Sequence, residues 1–113
     1  MRIVTDSIST AELATMAAGK LGDLVKAVVD VERELLAVDA GLHADLESLL
    51  LDNGSRQSDL WGINLYPGLS GEDMIEYDSM INVRPQHGNR SRGVDNPEIR
   101  ELVVQIVLRR VTP

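Results

Sequence analysis

A chain of 113 residues with 43% apolar and 26% charged side chains has the size and balance of one folded domain, residues 1–113, rather than of a disordered segment. Cysteine is absent, which excludes disulfides, a thiol nucleophile and a thiolate-held metal. A formal charge of −7 argues against a general nucleic-acid binder, and no apolar run approaches membrane-spanning length.

No leader-like segment is visible before Thr5-Asp6-Ser7, so a soluble, cytoplasmic protein without a cofactor is expected. Aromatic residues are limited to Trp61, Tyr66 and Tyr77, so the core must be aliphatic. Arg2 to Thr5 reads as a short strand. Ser9 and Glu12 form a capping box for a helix carrying Leu13, Met16 and Ala17 on one face, with Gly22 as its stop. Asp23 to Glu32 alternates as a strand, with Val25, Ala27, Val29 and Val31 opposite Lys26, Val28 and Asp30. Glu32-Arg33 reverses the chain into a second strand over Glu34 to Asp39. Leu42 to Asn53 is a helix with Leu42, Leu46, Leu49 and Leu50 on one face and Gly54 as its stop.

Asp59 to Tyr66 alternates again, with Trp61, Ile63 and Leu65 on one side. After a turn at Pro67-Gly68, Asp73 to Arg84 reads as the longest strand, ended by Pro85. A last helix starts at Pro97. Its apolar arc, Ile99, Leu102, Val103, Ile106 and Val107 beside Val104, Leu108 and Val111, is wide enough to call for deep burial or a second copy, so a homodimer is expected. The order β-α-β-β-α-β-β-α implies an α+β fold, a mostly antiparallel sheet with three helices packed mainly on one face.

Charge is unevenly spread: residues 1–83 hold 15 acids against 5 bases, and residues 84–113 hold 6 bases against 3 acids. Arg84 at a strand end is followed by Arg90 and Arg92 in a glycine-flanked loop that runs into a helix start at Asn96-Pro97-Glu98. Guanidinium forks and free backbone N–H groups aimed at one place are a way to hold a phosphate or carboxylate. The same arginines could instead clamp Glu76, Asp78 or Asp30 from within, Arg84 most of all, beside Asp78 and Asn82. GNRSRG lacks the spacing and lysine of a phosphate-binding P-loop.

Two further groups carry chemistry. Asp39, His43 and Asp45 stand close enough in sequence for a divalent metal and metal-assisted hydrolysis, although Asp39 and His43 also suit a plain helix start. Asn64, Tyr66, Asp78, Asn82 and Arg84 share the second sheet face and would line a pocket for a small polar molecule, or only a solvated face or a dimer centre. No serine stands in a nucleophile elbow.

The runs LVKAVVDVERELLAVDAGLHADLESLLLDNGS, DLWGINLYPG and SMINVRPQHGNRSRGV resemble an uncharacterised family of small bacterial and archaeal proteins, a domain of unknown function. The resemblance covers nearly the whole chain and implies a small single-domain α+β protein. It assigns no activity and no site residue.

Overall fold

The computed structural model describes residues 1–20 and 22–113. In chain order the elements are β1 (Arg2–Val4), β2 (Ile8–Ser9), α1 (Thr10–Gly19), β3 (Val25–Asp30), β4 (Leu35–Val38), α2 (His43–Asp52), β5 (Leu60–Leu65), β6 (Ile75–Glu76), α3 (Pro97–Arg110) and β7 (Val111–Thr112). Five strands form an antiparallel sheet in the order β1-β4-β3-β5-β6, and β2 pairs with β7 in a separate parallel ribbon. The fold is α+β, with three helices and a mostly antiparallel sheet, as the pattern of elements implies.

Local chemistry starts each helix as expected at α1 and α3. Ser9 accepts from the Glu12 N–H while Glu12 accepts from the Ser9 N–H, closing the capping box. Asn96 caps α3 by accepting from the Glu98 N–H, with Pro97 behind it. Gly22, at a φ of 88°, donates to Ala17 as the chain leaves α1.

The helices do not share one face. Leu13 and Ala17 of α1 and Val103, Ile106 and Val107 of α3 cover Val25, Ala27, Val29, Leu36, Val38, Trp61, Ile63 and Leu65. On the other side Leu46 and Leu50 of α2 cover Val28, Leu35, Ala37 and Leu60. The central strands are buried on both faces, and a sheet of that kind needs cover on both. The parity expected for β3 and β5 holds; what differs is that half of the second face is apolar core.

The strand expected over Asp73 to Arg84 is only Ile75–Glu76. Beyond it the chain folds into 3-10 turns at Met80–Asn82 and Pro85–His87. Ser79 accepts from the Ile81 N–H, a local bond that competes with a sheet ladder. The wide arc of α3 is mostly spent within the chain, since Val103, Val104, Ile106 and Val107 are buried and Leu102 and Leu108 remain exposed. Among the described residues, no helix is long and apolar enough to cross a membrane.

Candidate functional site

The loop after β6 is built from two asparagines that sequence reasoning treated as a lining residue and as nothing at all. Asn82, fully buried, accepts from the Gly62 N–H at 2.8 Å and returns its amide N–H groups to the Gly62 and Arg92 carbonyls. Its side chain thus stands beside β5 where another strand would pair. Asn89, also buried, donates to the carbonyls of Asn82, Ser91 and Gly93 and accepts from the Asp95 N–H. A long polar loop must satisfy its own backbone groups, and a central asparagine is the side chain able to do so. That argument was the available signal for Asn89. Asp95 completes the loop by accepting from the Arg90 N–H and the Ser91 hydroxyl, bonds that hold its carboxyl below the usual range.

The three arginines diverge. Arg84 lies over Trp61, 4.4 Å from the ring centroid, and donates to the carbonyls of Ile81 and Leu60. No carboxylate among the described residues pairs with it, so the expected partnership with Asp78 is replaced by carbonyls and an aromatic face. Burial pulls its pKa down and the Glu47 carboxylate opposes that, leaving a cation at neutral pH. Arg92 takes Asp78 instead, at 2.7 Å, and both are well exposed. The Arg90 side chain points to solvent. Glu76 is held by Asn64 and Tyr66, and Asp30 by Ser55 and the backbone of Glu32 and Arg33, so neither acid clamps the loop. Burial first, and Glu76 second, raise the Tyr66 phenol.

Two cavities adjoin this loop. The first, about 390 Å³, is lined by Ser58, Trp61, Arg84, His87, Asn96 and Ile99. Trp61 is 8% exposed and its indole Nε1 is buried without a partner. The helix terminus beside it offers less than its position promises: Pro97 has no N–H and Asn96 already holds that of Glu98. The second cavity, about 200 Å³, brings Lys26, His43, Ser79 and Arg92 together between Leu42 and Met80.

Asp39, His43 and Asp45 do not converge. Asp39 pairs with Lys20 at 3.1 Å, Asp45 is exposed, and His43 is buried against the Ile63 carbonyl at 2.8 Å. Among the described residues, no group of three histidine or acidic side chains is placed to hold a metal ion.

No curated protein and no solved structure matches the chain. One family model matches residues 2–110, nearly the whole length of the chain. The chain therefore belongs to the family described as protein of unknown function DUF5674.

Proposed function

We propose that the chain binds a small anionic ligand, phosphate- or carboxylate-bearing, in the cavity between Arg84 and the start of α3. The observation that carries this reading is the Arg84 guanidinium: half-buried, cationic and without a carboxylate partner, on the wall of a cavity of about 390 Å³. Two carbonyls occupy its Nε and one terminal nitrogen, which leaves N–H groups for an acceptor. Trp61 and His87 line the same wall, and the imidazole can offer an N–H to it. Of the residues read from the sequence, Arg84 belongs to this site, while Arg90 and Arg92 lie outside it.

Trp61 is the chain's one tryptophan and lies under the guanidinium, so its emission reads the site directly. Phosphate, nucleotides and simple carboxylates are titrated against wild type, Arg84→Gln and His87→Ala, following Trp61 emission and melting temperature. A ligand at about 100 times its Kd stabilises by roughly 2.7 kcal/mol, a rise on the order of 10 °C for a domain of this size. His87→Ala should weaken that response, and Arg84→Gln should abolish it. If no anion at millimolar concentration moves either signal in the wild type, Arg84 is a clamp for Leu60 and Ile81 and the binding reading is lost.

A further inference from the structure

The second cavity assembles groups that lie far apart in sequence. Lys26 comes from β3, Leu42, His43 and Ala44 from the start of α2, Ser79 and Met80 from the 3-10 turn, and Arg92 from the loop. Leu42 stands at the cap position before α2, and its side chain accepts no bond from the first turn. Asp45 N–H bonds the Leu42 carbonyl, and the backbone N–H groups ahead of it have no such side-chain cap. The positive end of α2, an ammonium and a guanidinium therefore meet at one opening.

A helix terminus alone would prove little. Here a second kind of group points to a ligand. His43 is 7% exposed, and its Nε2 faces the Ile63 carbonyl, which can only accept. The proton therefore sits on Nε2, and Nδ1 keeps a lone pair with no protein donor among the described residues. Burial, helped by Lys26, keeps the ring neutral, against the pull of Ile63, Asn64 and Asp78. An acceptor without a donor thus adjoins two cations beside an uncapped helix.

The rim fits the same reading. Leu42 and Met80, 62% and 66% exposed, flank the opening, and exposed apolar side chains gathered around a concave opening are a mark of binding surfaces. The volume, about 200 Å³, equals roughly seven waters at ~30 Å³ each, which admits an acid of a few carbons and little more.

The geometry points to a second ligand site here, one that takes a small carboxylate bearing a hydroxyl or amino group on the adjacent carbon. The carboxylate sits at the start of α2 between Lys26 and Arg92, and the neighbouring O–H or N–H donates to His43 Nδ1. Arg92 reaches it without leaving Asp78, because a guanidinium has five N–H groups. This site is independent of the one at Arg84.

The chain has two histidines, one in each cavity, so imidazole NMR separates the two sites in a single titration. Lactate and alanine should each or singly shift the His43 resonances saturably at millimolar concentration and leave those of His87 in place. Acetate, which lacks the second donor, should bind about tenfold more weakly, as should lactate to Lys26→Met, each a change on the order of 1.4 kcal/mol. Arg92→Gln, on an exposed side chain, gives a second test in a variant expected to fold normally. The proposal is overturned if His43 does not respond, if acetate matches lactate, or if neither variant loses affinity. Movement of His87 alone would support the Arg84 site and refute this one.

Discussion

Asn89 decides the shape of the arginine loop although its neighbours carry the charge. Its amide is engaged by four backbone groups, and removing it strands several of them away from water. A net bond is worth about 1 kcal/mol and an orphaned buried group costs a further 1–3, so Asn89→Ala should cost roughly 2–4 kcal/mol. Arg90→Ala should change stability by less than about 0.5 kcal/mol, and Arg92→Ala by less than about 1 kcal/mol, because its pair with Asp78 is exposed. Urea denaturation of the three variants makes the comparison. Equal losses at Asn89 and Arg90 would mean that the loop is held by charge after all. The arginines were conspicuous in the sequence because charge is visible residue by residue. What Asn89 does was hidden, since an asparagine between glycine and arginine reads as an ordinary turn residue until its partners are known.

At the scale of elements, period and capping chemistry were legible where they acted alone. The capping box at Ser9, the cap at Asn96 and the alternation of β3 and β5 all appear as read. The strand over Asp73 to Arg84 failed because Ile75, Tyr77, Ile81 and Val83 alternate in a segment where Ser79 and Asn82 bond the backbone through side chains. The sheet gives way to a loop at Gly62, and that position has a sharp requirement. A methyl group there would lie 2.5 Å from Cβ and Oγ of Ser79 and 3.1 Å from Ile81. Ser79 cannot yield easily, as it is buried and its N–H is bonded to Arg92. Gly62→Ala should therefore destabilise by about 1–3 kcal/mol through overpacking. Gly68→Ala, with nothing within 4 Å, is the control and should stay near wild type in thermal melts.

For the whole molecule, the division of helices between two faces was the least legible feature, because alternation tells which residues share a side and not what covers it. That division also sets the acid response. His43 is buried between α2 and β5 and its pKa is lowered, so the unfolded chain takes up a proton that the folded chain resists. Stability should be unaffected above the unfolded value of about 6.5 and decline as pH falls below it. Glu12, held by the Ser9 N–H, and Asp95, held by Ser91, have lowered values and act in a lower window. Their contribution is present above the normal carboxylate range near pH 4 and disappears as pH falls through it. Melting curves from pH 8 to 3 should show both stages. His43→Gln should remove the upper stage and keep the lower one; persistence of the upper stage would transfer it to another group.

The ribbon of β2 and β7 joins Ile8 and Ser9 to Val111 and Thr112, and Arg110 adds bonds to the carbonyls of Asp6 and Glu34. On a ribosome, β2 is made long before β7. The β3-β4 hairpin and β5 are complete some fifty residues before β7, a delay of about 2–10 s at 5–20 residues per second. During that interval Val29, Leu36 and Trp61 have α1 available but not Val103, Ile106 and Val107 of α3. Until α3 is made, the nascent chain carries a sheet covered on that face by α1 alone, so α3 acts as a lock turned late in the assembly of this core.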